Sequence, residues 1–352
     1  MSINNFVRDF GKKSIERSRL YFNDRAYRLA AQSAAKAIAS HYGKVSPSIL
    51  KQCDEYAREV LGDKKHAAGL KAFALFQQQF KEGWIPDSYY GEFVVPKLKG
   101  DYGVLGYRKS ITRRLYQTEL LPDLASAVNG LLYTSDFTPI PPAEFANYIF
   151  ARCDRVVFKK DHGFQGKSVS FYTKDTFPTT GAHFDNGVFQ SYITQHEFFN
   201  EFSTAGVSTI RITTVIDDSG AVSCRAAYLR LPQIGDTHVK SATAIKIALH
   251  VDSGKLFDTG ILPDWTPLDS HPDSKIAFAN QRIPEFQSCV EACLATHKNL
   301  PFARVIGWDV IVDSNNKPVI IEWNGYHNSI RFSEAAAGPC FADLGWEKLW
   351  RK

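Results

Sequence analysis

Two apolar runs near the C-terminus, joined by a short polar turn, constrain the fold more than any other stretch. The first run, residues 304–312 (RVIGWDVIV), is rich in β-branched and aromatic residues, and the second, residues 319–324 (VIIEWN), follows the turn DSNNKP. This pattern predicts an antiparallel β-hairpin. Because side chains alternate across a strand, Glu322 and Asn324 lie on one face, and pairing across the turn can bring Asp309 to that face.

These three oxygen-bearing side chains indicate a candidate metal site. Burying carboxylates is costly unless a positive group holds them. Mg²⁺ prefers oxygen ligands and leaves coordination positions for water and phosphate, which makes Asp309, Glu322 and Asn324 candidate magnesium ligands. A structural alternative stays open, in which Asp309 ends its strand at a bulge while the other two side chains face solvent.

Length, charge and cysteine content bound the class of protein. A chain of 352 residues with 44% hydrophobic and 22% charged residues is expected to form two or three globular subdomains. The net charge of +5 includes no long basic run, so a nucleotide fits at least as well as nucleic acid, which we do not expect as a partner. Six dispersed cysteines without a Cys-x-x-Cys pair predict reduced core thiols. No apolar run is long enough to span a bilayer, and we expect a cytoplasmic protein.

The N-terminal half of the sequence predicts mostly helices. Ser46 and Pro47 have the residue types of an N-cap and a first helical position, for a helix over residues 48–61. Further helices are expected over residues 67–82, 109–121 and 143–151, with a short strand over 130–133.

The C-terminal half predicts mostly strands. Their expected positions are residues 155–160, 169–172, 187–193, 207–217, 222–231 and 245–251, before a helix over 283–296 that leads to the hairpin.

Two features of these strands point to an anionic ligand. Lys159 is followed by a glycine-containing loop, Gly163 to Gly166, whose backbone can approach a phosphate closely and offer N–H groups. Such glycines are more often part of an ordinary turn, and that alternative stays open. Arg211 lies in the middle of an apolar strand, where it is costly unless it is paired or faces a cleft.

In chain order, the lysines, the glycine loop, the strand arginine and the acidic hairpin resemble the ATP-grasp superfamily. The segments STIRITT (208–214), GWD (307–309) and IEWNG (321–325) resemble more narrowly the sugar-transfer-associated ATP-grasp proteins linked to surface-polysaccharide synthesis. The resemblance covers roughly residues 105–330. It implies an α+β ATP-grasp fold with an N-terminal helical extension. The implied segments are a helical cap (1–84), a pre-ATP-grasp lobe (85–152) and the nucleotide- and metal-binding lobes (153–352).

The resemblance also implies roles for individual residues. Arg211 matches the arginine near the reacting γ-phosphate, and the hairpin residues named above match the Mg²⁺ ligands. The residues implied in ATP binding are Lys109, Lys159, Gly163, Gly166, Lys167, Gln190, Tyr192 and Ile193. The acceptor-site candidates, each with a structural role as its alternative, are His196, Arg230 and Lys240. Residues 230–247 depart from the family pattern, so the resemblance does not identify the acceptor.

As a function, the resemblance implies an ATP- and Mg²⁺-dependent ligase. Such an enzyme phosphorylates a carboxylate and lets an amine attack the acyl phosphate, releasing ADP and phosphate. Small carboxylate and amine substrates, derived from sugars or amino acids, are the expected partners, and the sequence leaves the oligomeric state open. Two alternatives stay open: an ATP-dependent kinase on the same fold and a non-catalytic nucleotide-binding module. The complete set of lysine, arginine and metal-ligand types argues against the module.

Overall fold

A computed structural model of the chain describes residues 3–163, 168–178, 183–235, 243–326 and 328–351, with side chains from residue 23 onward. These residues form a mixed α+β protein with two antiparallel sheets, which confirms the predicted fold class. Throughout the described residues, no helix combines the length and the apolar character needed to cross a membrane.

The chain divides by its internal contacts into two compact units. The first comprises Met1–Lys97, Asp264–Thr266 and Ser329–Lys352, and the second comprises Leu98–Pro263 and Pro267–Asn328. The C-terminal residues therefore belong to the unit that contains the N-terminal helices. These two units do not coincide with the three segments expected from the sequence. The three-segment division assigns a function to each segment, and it stays a prediction.

Helices account for most of the first unit and for parts of the second. The α-helices of the described residues are α1 (Ile3–Tyr42), α2 (Pro47–Glu59), α3 (Ala67–Gln77), α4 (Asp87–Tyr89), α5 (Val95–Leu98), α6 (Gly100–Val104), α7 (Thr112–Tyr116), α8 (Pro142–Phe150), α9 (Glu197–Phe202), α10 (Phe286–Lys298) and α11 (Arg331–Ala336). Short 3₁₀ turns occur at Lys64–His66, Leu105–Tyr107, Lys109–Ile111, Ala342–Leu344 and Trp346–Arg351, and a π-helical turn at Tyr90–Val94.

Local chemistry explains where several helices begin and end. The hydroxyl of Ser46 accepts a hydrogen bond from the Ile49 amide at the start of α2, as the sequence predicted. The expected helix over residues 67–82 is shorter than predicted, because Gln78 adopts a left-handed conformation after α3. The expected helix over 109–121 is also too long: Gln117 is left-handed and ends α7.

The strands form two sheets, and both lie in the second unit. The strands are β1 (Asp123–Val128), β2 (Leu131–Thr134), β3 (Arg155–Lys160), β4 (Val169–Thr173), β5 (Gly187–Ser191), β6 (Thr209–Ile216), β7 (Val222–Leu231), β8 (Ile245–Leu249), β9 (Leu256–Ile261), β10 (Pro267–Leu268), β11 (Val305–Val312) and β12 (Pro318–Asn324). The smaller sheet has the order β2-β1-β5-β3-β4, and the larger has the order β10-β9-β8-β7-β6-β11-β12.

Strand periodicity separates the core of the larger sheet from its polar face. In β6 and β11, Ile210, Ile212 and Trp308 enter the hydrophobic core, to which α10 contributes Cys289 and Cys293. The alternate positions carry Arg211 and Asp309, which line a cavity instead. The period of two along each strand thus places the charged side chains together, opposite the core.

Candidate functional site

A cavity of about 160 Å³ is lined by residues from both sheets of the second unit. The charged side chains that line it among the described residues are Lys109, Lys159, Lys160, Arg211, Arg230, Asp309 and Glu322. Cations outnumber anions in this set, so the cavity favours an anionic ligand. Aliphatic and aromatic residues, including Val157, Val169 and Phe171, line another part of the same cavity.

The hairpin of β11 and β12 brings the predicted metal-ligand set to the cavity. Asp309 lies opposite Glu322, and Gly307 lies opposite Asn324. Asp309, Glu322 and Asn324 all line the cavity, and Asp309 is only 4% exposed. The expected shared face is therefore confirmed, and Asp309 does not face solvent.

A β-bulge in β12 shapes the side of this hairpin that faces the cavity. Asp309 pairs with Glu322 but Val310 pairs with Ile320, so Ile321 is an extra residue between two pairs. The carbonyl oxygen of Ile321 accepts hydrogen bonds from Lys159 Nζ (3.0 Å) and from the side-chain amide of Gln190 (3.4 Å). The bulge thereby gives the buried lysine a neutral acceptor on the opposing sheet.

Lys109 and Lys159 both point their amines at the cavity. Lys109 Nζ donates to the carbonyl oxygen of Gly163 (3.1 Å) and lies 3.5 Å from a carboxylate oxygen of Glu322. Burial lowers the pKa of Lys159, and the nearby Glu322 carboxylate partly offsets that effect. Lys160, the next residue in β3, forms an ion pair with Asp185.

Two arginines converge on Asp309. Arg211 Nε and Nη2 donate to the two carboxylate oxygens of Asp309 at 2.5 and 3.1 Å, and Arg230 Nη2 lies 2.7 Å from Oδ2. Arg230 Nε also donates to the hydroxyl of Thr209 (2.9 Å). One carboxylate thus holds two guanidinium groups at the polar face of the larger sheet.

The mutual attraction of these groups outweighs the cost of burying them. Burial alone would raise the pKa of Asp309, but Arg211 and Arg230 hold that pKa below its usual range. Burial would likewise lower the pKa of Arg211, and Asp309 raises it above the usual range. Two guanidinium groups and one carboxylate leave this cluster with a surplus positive charge.

The segment expected to hold adenine lies at the edge of the same cavity. Gln190, Tyr192 and Ile193 all line it. The Gln190 amide donates to Oδ1 of buried Asp123 (2.7 Å), and burial raises the pKa of Asp123 to about 6, with the amide opposing that shift. The backbone N–H of Tyr192 is bonded to the carbonyl of Arg155 (3.0 Å). Adenine contact through the remaining backbone groups stays a prediction.

Five of the other sequence-based candidates separate into three groups. Gly163 lines the cavity, whereas Gly166, Lys167 and Lys240 lie outside the residues that the structure describes. His196 is not among the residues that line the cavity. Its Nδ1 accepts a hydrogen bond from the Phe198 amide (3.0 Å) at the start of α9, which gives His196 the capping role that was its alternative.

Comparison with known proteins identifies the family. The profile of the family described as sugar-transfer associated ATP-grasp matches residues 150–344, which is more than half of the chain. The chain belongs to this ATP-grasp family. The match includes β3 to β12, and thus most of the strands that line the cavity. The resemblance predicted from the sequence is therefore confirmed.

Solved structures with similar folds have low sequence identity to this ATP-grasp chain. The ATP-grasp ligase PsnB, in a complex with a minimal precursor, is 13% identical with a TM-score of 0.42, over 72% of this chain and 63% of PsnB. Biotin carboxylase from Campylobacter jejuni is 13% identical with a TM-score of 0.44, over 91% of this chain and 68% of that chain.

A third similar structure is the N5-carboxyaminoimidazole ribonucleotide synthetase from Thermotoga maritima. It is 10% identical with a TM-score of 0.37, over 72% of this chain and 50% of that chain. The chain spans less than two thirds of the length of PsnB and of this synthetase. No curated protein matches the sequence significantly.

The donor set of this ATP-grasp chain fits Mg²⁺ through part of the predicted ligand set. Glu322 offers a carboxylate, and Asn324 offers its amide oxygen, since its amide nitrogen donates to the Gly307 carbonyl (3.2 Å). Asp309 Oδ1 accepts from Arg211 Nε, whereas Oδ2 accepts from both arginines; because each carboxylate oxygen has two lone pairs, Oδ1 can still ligate a metal beside Arg211. The described residues contain no cluster of three or more His, Cys, Asp or Glu side chains suited to a metal.

The structure adds site residues that the sequence did not indicate. Asp123 lies behind Gln190, and Asn328 donates and accepts hydrogen bonds next to Arg211. Asn328 belongs to the same stretch as Glu322 and Asn324, four residues after Asn324, so proximity to the motif was the available signal. No signal in the sequence indicated the role of the Ile321 carbonyl, because a bulge depends on how two strands pair.

Proposed function

We propose that this protein is an ATP- and Mg²⁺-dependent carboxylate–amine ligase that forms an acyl phosphate and releases ADP and phosphate. The observation that carries the proposal is a single cavity lined by Lys109, Lys159, Arg211 and Arg230 together with Glu322 and Asn324. This set combines cations for phosphate with oxygen ligands for a divalent metal. Membership of an ATP-grasp family supports ATP as the anionic ligand.

In this proposal the two lysines bind the phosphates of ATP. Lys159 and Lys109 now donate to carbonyl oxygens of Ile321 and Gly163, which are neutral acceptors. A phosphate oxygen is a stronger acceptor for an ammonium group than a carbonyl oxygen, because the phosphate carries a full negative charge that attracts the ammonium. The apolar lining near Val157 and Phe171 suits the adenine ring, at the edge formed by Gln190, Tyr192 and Ile193.

Glu322 and Asn324 are the proposed residues that hold Mg²⁺, with Asp309 as a further ligand through Oδ1. When bound, Mg²⁺ neutralises charge on the phosphate oxygens and orients them. The chain's own contribution is the placement of these oxygen ligands across the hairpin from Arg211, at the polar face of the larger sheet.

Arg211 and Arg230 are proposed to bind two different anionic groups. Arg211 faces the transferring γ-phosphoryl group, where charge develops and fixed cations stabilise it most. Arg230, which has fewer contacts holding it in place, binds the acceptor carboxylate. Lys240, a second acceptor candidate, lies outside the described residues, and His196 is not part of this proposal.

The family description favours a role in assembling a sugar-containing product. We propose that the carboxylate or the amine is derived from a sugar or an amino acid, that the product belongs to surface-polysaccharide synthesis, and that the reaction takes place in the cytoplasm, where ATP is available.

The test is a turnover assay with Mg²⁺, ATP and pools of carboxylates and amines. For the proposed ligase, full ADP release requires a carboxylate and an amine together. Release that depends on an alcohol, with no requirement for a carboxylate, contradicts the proposal and favours the kinase.

A further inference from the structure

Asn328 lies at the end of the stretch that carries Glu322 and Asn324, and its side chain contacts Arg211. Its Oδ1 accepts a hydrogen bond from Arg211 Nη1 (3.1 Å), and its Nδ2 donates to the hydroxyl of Thr213 (3.3 Å). The orientation of the amide is determined by chemistry, because a guanidinium has donors only. Asn328 is 1% exposed, so water does not replace these partners.

Gly307 makes the space in which the Asn328 amide lies. A Cβ atom at position 307 would lie within van der Waals overlap of the Asn328 amide, and 3.1 Å from Cδ of Arg211. The position of the Asn328 amide therefore explains why the first residue of the GWD segment is a glycine. Any larger residue would displace the group that holds Arg211.

Gly325 and Tyr326, which follow β12, make close contacts within the same unit. Gly103 and Gly325 approach so closely that a Cβ atom on either would overlap the other's backbone. Lys99, which is 1% exposed, donates from Nζ to the carbonyl oxygen of Tyr326 (3.2 Å). The chain after β12 is thus anchored at Gly325 by α6 and at Tyr326 by Lys99.

Asn328 completes the set of contacts that orients Arg211. Asp309 accepts from Nε and Nη2, along one edge of the guanidinium plane, and Asn328 accepts from Nη1 at the opposite corner. Arg230 has Asp309 and Thr209 as its side-chain contacts in the same region. The plane of Arg211 is therefore fixed from two sides.

We propose that Asn328 is a positioning residue that holds the Arg211 guanidinium in the orientation needed to bind the γ-phosphate of ATP. This inference rests on the proposed function, in which Arg211 faces that phosphate. Loss of Asn328 leaves Arg211 charged and paired with Asp309, but free to tilt about that pair. The affinity for the γ-phosphate then falls, whereas the affinity for the rest of the nucleotide does not change.

The test compares two nucleotides, Mg·AMP-PNP and Mg·ADP, by isothermal titration calorimetry. The Kd of Mg·ADP divided by the Kd of Mg·AMP-PNP measures what the terminal phosphate adds to binding, and this ratio is the γ-phosphate advantage. Asn328→Ala is expected to lower this advantage by about three- to tenfold, the scale of one charge-assisted hydrogen bond weakened but not lost, while the Kd of Mg·ADP changes by less than about twofold. Arg211→Met is expected to remove the advantage, and adding Asn328→Ala to it should change nothing more.

Asn299→Ala is the matched control. Asn299 is exposed, but its amide donates to the carbonyl of Tyr116 (2.6 Å) in a part-buried hydrogen bond, and the residue does not line the cavity. This variant loses an asparagine hydrogen bond away from the cavity, so a general effect of such a loss would show in it. Both dissociation constants should stay at the wild-type values.

A second pair of variants keeps the inference testable if Asn328→Ala folds poorly. Gly307→Ala displaces the amide and should lower the γ-phosphate advantage as Asn328→Ala does. In the Gly307→Ala/Asn328→Ala double variant the overlap with the amide is gone, although the 3.1 Å contact with Cδ of Arg211 remains, and the loss should be no greater than that of either single variant.

The outcomes separate the two levels of the proposal. If Arg211→Met lowers the advantage but Asn328→Ala and Gly307→Ala leave it unchanged, the inference about Asn328 is wrong and the proposed function stands. If Arg211→Met leaves it unchanged, the γ-phosphate role of Arg211 is wrong, and the inference about Asn328 is overturned with it.

Discussion

Two lysines that are neighbours in β3 have different environments, and this difference gives the sharpest prediction at the scale of residues. Lys159 Nζ donates to the Ile321 carbonyl in the cavity, whereas Lys160, which also lines the cavity, is 46% exposed and pairs its amine with Asp185. Removing one lysine–phosphate contact costs roughly 1.5–3 kcal/mol. Lys159→Ala should therefore weaken the affinity for Mg·AMP-PNP by about ten- to a hundredfold.

Lys160→Ala is the control for this change, since it removes the same side chain one position away. It should leave the Kd within about twofold, because an exposed ion pair contributes little. Calorimetry of both variants measures the difference. A large effect of Lys160→Ala with none of Lys159→Ala would mean that the other face of β3 binds the phosphates.

Glu322 is the proposed Mg²⁺ ligand whose charge can be removed with little change of shape. Glu322→Gln keeps the shape of the side chain but removes the charge that would hold Mg²⁺, so Mg²⁺-dependent binding of AMP-PNP should weaken while the fold is kept. Titration of Mg²⁺ into protein with saturating AMP-PNP measures the change. Glu291→Gln, at an exposed position of α10, is the control. Metal affinity equal to wild type in Glu322→Gln would remove Glu322 from the ligand set.

At the scale of elements, α11 carries a buried carboxylate with a marked pH dependence. Glu334 accepts hydrogen bonds from the backbone N–H groups of Ile85 (2.7 Å) and Cys340 (2.7 Å). Burial raises the pKa of Glu334 from 4.5 to about 7, although these two N–H donors oppose the shift. The folded protein thus binds a proton that the unfolded chain has already released.

The stability provided by this group is therefore present below pH 4.5 and lost as the pH rises to about 7. The free energy of unfolding should fall by about 3 kcal/mol over that range through Glu334 alone. Glu334→Gln should flatten this dependence, at some cost in stability because an amide cannot accept from both N–H groups as well.

Denaturant unfolding at several pH values measures the slope. Glu59→Gln, which replaces an exposed carboxylate at the end of α2, should keep the wild-type slope. An unchanged slope in Glu334→Gln would show that another group is responsible for the pH dependence.

Elements with strong alternation and clear turns were predicted well from the sequence. The predicted bounds of β3 and β7 agree with the structure at both ends, since β3 is built on the run Val156–Phe158 and β7 begins just after the turn at Gly220. β1 was missed because Asp123–Val128 is rich in alanine and serine, which carry little strand signal. The bulge at Ile321 depends on pairing between strands, which no local pattern reports.

At the scale of the whole molecule, the second unit brings together residues that are far apart in the sequence. The shared face of Glu322, Asn324 and Asp309 was predictable, because it follows from alternation and one turn. The convergence of Arg211 and Arg230 on Asp309 was not, because it depends on the order β7-β6-β11 in the larger sheet. Tertiary pairing thus adds an ion-pair cluster at Asp309 to the metal-ligand set that the sequence predicted.

The central claim is that this cavity transfers the γ-phosphoryl group of ATP to a carboxylate. Phosphorus NMR of a mixture with Mg²⁺, ATP, a carboxylate pool and hydroxylamine tests it most directly, because hydroxylamine captures an acyl phosphate whatever the natural amine is. The account predicts ADP and free phosphate in step with an acyl hydroxamate. AMP with pyrophosphate, or a stable phosphoester in place of free phosphate, would contradict it.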